Sequence, residues 1–166
     1  MKHAHPFLLI GSFLLLLLSS CEHSDTVLQS TIDIAGGVWQ RFEPRQIEAD
    51  IPNADDCYEL HISALIDTTA YCQPSLPLTI QITSPQGETR TLFASLPLHS
   101  RDGHSLGQPN GEGGVLLFNQ RVREYFYFNH PGTHTVSIGQ RTSRYEIRGI
   151  RQLQFTVRKA KLEYPK

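Results

Sequence analysis

Cysteine is scarce in this 166-residue chain, which has three: Cys21, Cys57 and Cys72. So few cysteines exclude a disulfide-dense scaffold, and a chain of this length can bury a hydrophobic core without metal sites or several disulfides. If residues 57–66 form a strand followed by a tight turn, Cys57 lies opposite a residue near Ile80 and Cys72 lies at the far end of the hairpin. That separation exceeds the ~7 Å limit for the Cα atoms of a disulfide. We therefore predict free, buried thiols, and a bridge would need a different register or a neighbouring sheet.

Catalytic and metal-binding patterns are also lacking. The sequence shows no nucleophile with a recognisable partner and no familiar spacing of metal ligands. His130 and His134 are four residues apart, but Pro131 and Gly132 place them on opposite arms of a turn. Turn or surface histidines are therefore favoured over a metal site. The sequence predicts no enzyme, no metal and no cofactor.

Long apolar runs are confined to the N-terminus. A basic start precedes an apolar run over residues 7–18, and two serines stand directly before Cys21. The run is shorter than the ~20 residues that a transmembrane helix needs, and no later segment is long and apolar enough to span a bilayer. A basic start, a short apolar core and small residues before a cysteine are typical of a bacterial lipoprotein signal. The pattern predicts a signal peptide over residues 1–20 and lipidation of Cys21.

Lipidation would tie the mature chain to a membrane. Several acyl chains on Cys21, at about 0.8 kcal/mol per buried methylene group, give stable anchoring. Glu22 after the cysteine favours delivery to the outer membrane of a Gram-negative cell, and the face of that membrane stays open. Export also argues against a nucleic-acid partner. We expect a lipid-anchored protein of the cell envelope, with a lipidated tether over residues 21–31 and one β-sandwich domain over residues 32–166.

The two parts of the chain after Cys21 carry opposite charge: basic residues are few in the first part and acidic residues are few in the second. Residues 22–120 carry 4 basic and 13 acidic side chains, whereas residues 121–166 carry 10 basic and 3 acidic ones. If late strands pair with early ones, these charges face each other across the sheet, which is the interpretation we favour. The alternative is a basic strip that binds an acidic partner or anionic lipid. That strip would comprise Arg141, Arg144, Arg148, Arg151, Arg158, Lys159 and Lys161.

Helical periodicity of useful length is absent, and alternating hydrophobicity takes its place. Apolar and polar residues alternate over residues 58–66 and 76–82, and a Pro-Gln-Gly turn before residues 89–96 predicts a hairpin. Further strands are predicted at residues 27–33, 39–42, 46–51, 115–118, 123–129, 133–139 and 152–158. This density of strands indicates an all-β fold, an antiparallel two-sheet β-sandwich with the jelly roll as one form of it.

Aromatic residues are few, and two groups of them are informative. Trp39, the only tryptophan, is expected to plug one end of the sandwich together with Phe42. Arg123, Tyr125 and Tyr127 share one face of a predicted strand whose other face carries two phenylalanines. Tyrosine and arginine on a wet face can stack on a sugar ring and hydrogen-bond to it. Burial of both faces is the interpretation we favour for this strand.

Residues 97–114 are rich in glycine and form a long loop between predicted strands. Long loops are more often functional or mobile than structural. Asp102, Gly103, His104 and Gly107 are therefore candidate functional residues, with a solvated loop as the simpler expectation.

Several motifs follow one another in an order that resembles one known family. They are the signal ending at Cys21, Trp39 before Phe42, Tyr58 opening an alternating strand, Ala70-Tyr71 followed by Leu76, Ser84-Pro85-Gln86-Gly87, Asp102-Gly103 to Gly107, Phe128 with Gly132, and Ile147-Arg148-Gly149-Ile150. Together they cover most of the chain and resemble the gliding-motility lipoprotein GldH family of the Bacteroidota. Departures at Ile66, at His104 or Ser105 and at Thr142-Ser143 mark a divergent member.

The resemblance implies a non-catalytic structural or assembly role in the envelope apparatus that drives surface gliding and is tied to type IX protein secretion. The implied partners are the lipid bilayer, through acylated Cys21, and other envelope proteins of the motility or secretion apparatus. The alternative is a glycan-binding β-sandwich lipoprotein of the cell surface that uses Arg123, Tyr125 and Tyr127. Joint exposure of the two tyrosines would favour glycan binding, whereas an exposed hydrophobic rim would favour a protein partner.

Overall fold

A computed structural model describes residues 25–111 and 113–161, which form strands along most of their length. The strands in this part of the chain are β1 (Thr26–Asp33), β2 (Val38–Gln40), β3 (Arg45–Ile51), β4 (Tyr58–Asp67), β5 (Ser75–Thr83), β6 (Thr89–Pro97), β7 (Gln108–Pro109), β8 (Val115–Phe126), β9 (Gly132–Gln140), β10 (Glu146–Arg148) and β11 (Ile150–Lys159). A short 3-10 helix, Ala35–Gly37, precedes β2. Within the described ranges, no helix has the length and apolar character needed to cross a bilayer. Cys21 and the signal peptide predicted over residues 1–20 lie outside the described residues.

The strands form two large antiparallel sheets and one small one. The first sheet has the order β1-β11-β4-β8-β7, the second has the order β3-β9-β5-β6, and β10 pairs with β2. Taken in chain order, the long strands are β1, β3, β4, β5, β6, β8, β9 and β11. The first of these pairs with the last, the second with the seventh, the third with the sixth and the fourth with the fifth. This nested pairing is the connectivity of a jelly roll, so the predicted two-sheet β-sandwich is confirmed in that form.

Alternating side chains of both sheets build the core. In β4, Tyr58, Leu60 and Ile62 are fully buried, and in β5 Leu76 and Leu78 are fully buried as well. A strand places every second side chain on the same face, so the alternation seen in the sequence becomes one apolar face on each sheet. The largest fully buried side chains are those of Trp39, Tyr58, Phe118, Phe128, Phe155, Ile51, Leu60, Ile62, Ile66, Leu76, Leu78 and Ile80.

The connection between β4 and β5 is not the tight hairpin on which the cysteine argument depends. β4 and β5 belong to different sheets, because both edges of β4 are already paired, one with β11 and the other with β8. The chain crosses between the sheets through Tyr71, which is buried. The predicted hairpin of β5 and β6 is confirmed, and its ladder runs from Ser75 opposite Pro97 to Thr83 opposite Thr89.

Both remaining cysteines are free in the structure. The reason given for their separation is nevertheless wrong, since Ile80 pairs with Leu92 and Ile138 instead of facing Cys57. Cys57 is buried, as predicted for a free thiol. Cys72 is exposed, contrary to the prediction, because it lies on the crossover between the sheets.

Two strand boundaries differ from the prediction. The tether predicted over residues 21–31 overlaps β1, whose backbone pairs with β11 from Thr26 onwards. Ordered pairing satisfies the backbone polar groups of that strand, so residues 26–31 are part of the first sheet. The sequence predicts separate strands over residues 115–118 and 123–129, but β8 is continuous from Val115 to Phe126. The register between β8 and β4 shifts near Leu60, and such β-bulges allow one continuous strand to stay paired across extra residues.

Trp39 and Phe42 occupy different environments. Trp39 is fully buried, and its indole N–H donates to the carbonyl oxygen of Glu43 at 2.9 Å. Phe42 is 75% exposed, because it lies in the turn after β2. Its ring packs on the ring of Tyr145, with 6.0 Å between the two centroids. The prediction of a plug is correct for Trp39 and wrong for Phe42.

Candidate functional site

The predicted aromatic face is exposed at the end of β8. Tyr125 is 57% exposed, Tyr127 is 51% exposed and Arg123 is exposed beside them. Phe126 and Phe128 alternate with the tyrosines and are buried. The interpretation that both faces of this strand are buried is therefore wrong, because an antiparallel sheet can pack one face on the core and leave the other to water.

Arg90 fastens this end of β8 to β6. Its guanidinium lies 4.2 Å from the centroid of the Phe126 ring and donates a hydrogen bond to the carbonyl oxygen of Tyr127. Burial lowers the pKa of Arg90, but an arginine remains charged in proteins. The contacts of Arg90 thus fix the backbone of this exposed aromatic segment, while the rings of Tyr125 and Tyr127 stay accessible.

The glycine-rich loop does not gather its candidate residues into one site. Asp102, Gly103 and His104 are exposed on a turn, which is closed by a hydrogen bond from the Ser100 backbone N–H to the His104 carbonyl oxygen at 2.8 Å. Gly107 lies apart from them and packs on β8. A Cβ atom there would come within 2.6 Å of side-chain atoms of Leu116 and Phe118, so packing alone explains this glycine.

The two histidines beside the Pro-Gly turn have separate roles. His134 is buried, and its Nδ1 donates to the carbonyl oxygen of Gly132 at 3.0 Å. His130 Nε2 lies 3.7 Å from a carboxylate oxygen of Glu88. Among residues 25–111 and 113–161, no three His, Cys, Asp or Glu side chains are grouped in a way that could hold a metal ion.

A groove of about 430 Å³ lies between the crossover after β4 and the segment that joins β9 to β10. One wall is drawn from residues 70–77 and the other from residues 141–148. Its charged lining residues are Arg141, Arg144, Glu146 and Arg148. Sequence reasoning places these arginines in a basic strip but misses the groove, because no pattern in the sequence shows that the crossover lies opposite them.

A buried glutamine shapes the wall that carries the arginines. The side-chain oxygen of Gln140 accepts hydrogen bonds from the backbone N–H of Thr142 at 2.9 Å and from its hydroxyl at 2.6 Å. The Gln140 amide donates to the carbonyl oxygen of Arg144 at 3.4 Å. The backbone N–H of Arg141 donates to the carbonyl oxygen of Pro77 at 2.9 Å, which ties the two walls together. The turn that positions Arg141 and Arg144 is therefore held by its own hydrogen bonds.

Tyr71 stiffens the opposite wall. Its hydroxyl donates to the carbonyl oxygen of Ser75 at 2.9 Å, and its backbone N–H donates to the carbonyl oxygen of Asp67 at 2.9 Å. Burial raises the pKa of Tyr71 to about 12, although the positive charge of Arg144 opposes the shift. At neutral pH this wall therefore presents a neutral tyrosine to the arginines across the groove.

The three arginines of the groove differ in how they are engaged. Arg148 pairs with Glu146 at 2.9 Å, and the guanidinium of Arg141 stacks 4.4 Å from the centroid of the Phe93 ring. The guanidinium of Arg144 has no hydrogen bond or ion pair with any described residue. An exposed guanidinium offers paired N–H donors that match carboxylate or phosphate oxygens. The groove can thus bind an anionic group.

Other members of the predicted basic strip face acidic residues of the first half of the chain. The pairs are Arg151 with Asp67 at 2.9 Å, Lys159 with Asp56 at 2.7 Å and Lys161 with Asp25 at 3.1 Å. The favoured interpretation of the charge asymmetry is confirmed for these three residues. Arg141, Arg144 and Arg148 instead lie together at the groove.

Comparison with known proteins identifies the family. A search of curated proteins finds no match. The family model described as GldH lipoprotein matches residues 26–157, a range that begins at the start of β1 and ends within β11. The match covers the jelly roll except for the last two residues of β11, includes both walls of the groove, and confirms the resemblance seen in the sequence. The chain therefore belongs to the GldH lipoprotein family, and as a lipoprotein it is a lipid-anchored protein of the cell envelope.

Proposed function

We propose that this protein is anchored through acylated Cys21 and has a non-catalytic structural or assembly role in gliding motility and the associated type IX secretion machinery. The observation that carries the proposal is the family match over residues 26–157. Its partners in this role are the bilayer and other envelope proteins of the motility or secretion apparatus. Glu22 beside the lipidated cysteine supports the outer membrane as the site of anchoring.

The start of the fold supports a role close to the membrane surface. β1 begins at Thr26, five residues after Cys21. A fully extended chain covers about 3.5 Å per residue, so roughly 18 Å is the longest reach between the acylated cysteine and the sandwich. Acyl chains on Cys21 would keep the domain near the bilayer, where it can contact membrane-embedded proteins of the apparatus.

Crosslinking in cells tests this proposal. The lipidated protein is crosslinked in its native membrane and recovered, with the Cys21→Ala variant as the unlipidated control. We expect motility or secretion components to be recovered with the lipidated form only, and deletion of the protein to impair surface spreading and secretion. Intact spreading and secretion in the deletion strain would contradict the assembly role.

A glycan-binding role at the cell surface is the second candidate, and the exposure of Tyr125 and Tyr127 favours it. Exposed aromatic rings stack on sugars, and Arg123 beside them can donate hydrogen bonds to hydroxyl groups. Binding of the purified protein to a surface polysaccharide, reduced by Tyr125→Ala, would support this role. The matched control is Tyr145→Ala, which removes an exposed tyrosine elsewhere on the molecule.

A further inference from the structure

We infer that the groove between residues 70–77 and 141–148 binds a carboxylate-rich segment of a partner protein. The charge of the groove points to an anionic ligand, because three arginines line it and Glu146 is the one acidic residue among the described residues of its lining. Arg144 supplies a guanidinium that makes no hydrogen bond or ion pair with any described side chain. Arginine binds carboxylates through paired, charge-assisted hydrogen bonds, so glutamate and aspartate side chains fit this lining.

The groove is organised before any ligand arrives. Gln140 holds the turn between Arg141 and Arg144 by three hydrogen bonds, and Arg141 is also tied to the opposite wall at Pro77. A wall fixed in this way loses little conformational freedom on binding, which improves affinity for a given set of contacts. The volume of about 430 Å³ accommodates a few side chains of an extended segment.

Exposed aromatic residues beside the groove favour a protein over a simple anion. Phe93 is 65% exposed and stacks on Arg141, and Tyr145, which directly follows Arg144 in the chain, is 61% exposed. Tyr145 also packs on Phe42, the most exposed large hydrophobic residue in the described chain. Tyrosine and arginine are enriched among the residues that dominate protein–protein binding energy, and aromatic residues in general are enriched at interfaces.

The location of the groove argues against the anchoring membrane as its ligand. In the ladder of β1 with β11, Thr26 lies opposite Arg158, whereas the groove lies next to the other end of β11, just before Ile150. Eight residue steps of about 3.3 Å separate Arg158 from Ile150, roughly 26 Å along the sheet. This step rests on the proposed anchoring through Cys21, which keeps the Thr26 end within reach of the bilayer and places the groove at the opposite end of the sandwich.

Fluorescence anisotropy with defined probes tests the inference on the full lipidated chain in an uncharged detergent. The probe is a labelled octapeptide of alternating glutamate and serine, with an alternating lysine and serine peptide as the control ligand. We expect saturable binding of the glutamate peptide that weakens with salt, as a contact between charged groups does. The double variant Arg141→Gln/Arg144→Gln should weaken that binding about tenfold or more. The single variant Arg158→Gln, which removes an exposed arginine at the opposite end, should leave it within about twofold.

Two further ligands decide between sources of the negative charge. If oligogalacturonate or phosphatidylglycerol vesicles bind the groove as tightly as the glutamate peptide, and the double variant abolishes that binding, the assignment to a protein segment is overturned. Absence of saturable peptide binding, or equal loss in Arg158→Gln, overturns the site itself. Circular dichroism of each variant shows whether the jelly roll is intact. Since the assay does not depend on recovery of motility components, its failure leaves the assembly proposal to its own crosslinking test.

Discussion

Gly149 tests how closely the crossover after β4 packs on the connection between β10 and β11. It lies between β10 and β11 with φ +93°, a value that L-residues rarely adopt. A Cβ atom there would come within 2.7 Å of the carbonyl oxygen of Asp67 and within 2.9 Å of the backbone nitrogen of Tyr71. Both contacts are with backbone atoms, which cannot move aside as a flexible side chain can. The Gly149 carbonyl oxygen and N–H are also held, by Asp67 and Gly37, at 2.8 Å each.

The cost of Gly149→Ala has two parts. A positive φ at a non-glycine residue costs roughly 1–3 kcal/mol, and crowding a packed site costs about 1–3 kcal/mol more. We expect the free energy of unfolding to fall by about 2–6 kcal/mol. For a domain of this size, that corresponds to a loss of roughly 6–24 °C in Tm.

Gly87→Ala is the matched control, because Gly87 has φ +87° but no atom within 4 Å of the Cβ position. It carries the conformational cost without the collision. Urea unfolding followed by far-ultraviolet circular dichroism measures both variants under the same conditions. If Gly149→Ala costs no more than Gly87→Ala, the close approach of the crossover to Gly149 does not constrain the fold, and the reasoning fails.

Two other perturbations have defined outcomes. Phe128→Ala should lower the free energy of unfolding by about 3–5 kcal/mol, since its buried ring packs on three other rings. The control, Phe42→Ala, should change this free energy by less than about 0.5 kcal/mol. Equal losses for the two variants in urea unfolding would contradict the assignment of Phe128 to the core. Burial raises the pKa of Tyr71 to about 12, so the unfolded chain loses this proton first and the associated stability is lost as the pH rises from about 10 to 12. The free energy of unfolding measured across that pH range should decline less steeply for Tyr71→Phe than for the unaltered protein. An unchanged slope would refute the raised pKa.

The sequence predicts the strand content of this fold better than its strand pairing. The alternation over residues 76–82 and 89–96 identifies β5 and β6 with their hairpin, because local turn chemistry sets both pairing and register. The same reasoning fails for β4 and β5, because the edges of β4 are filled by β8 and β11, which come later in the chain. Pairing between distant strands depends on the whole set of competing edges, which no local pattern contains.

The candidate site shows the same limit. The strand alternation separates Tyr125 and Tyr127 from Phe126, but periodicity alone cannot say whether the second face of a strand is covered. The predicted burial of both faces is therefore wrong. The arginine cluster is visible as charge in the sequence, yet its division into paired and unpaired members depends on cross-strand neighbours. Arg151 pairs with Asp67 because β11 pairs with β4, whereas Arg144 lies on a turn beyond the ladders and forms no ion pair with a described acidic residue.

The nested strand pairing places the groove and the Thr26 end of β1 at opposite ends of the sandwich. Each wall of the groove combines a connecting segment with strand residues: residues 70–74 lead into Ser75 and Pro77 of β5, and residues 141–145 lead into β10. The connecting segments lie outside the ladders, so their side chains can vary without loss of strand pairing. The two ladders that β11 makes, with β1 and with β4, fix the distance between the ends. With the proposed anchoring through Cys21, a ligand in the groove would lie at the end of the sandwich remote from the point of attachment, which suits the proposed role of joining a membrane-anchored protein to a partner.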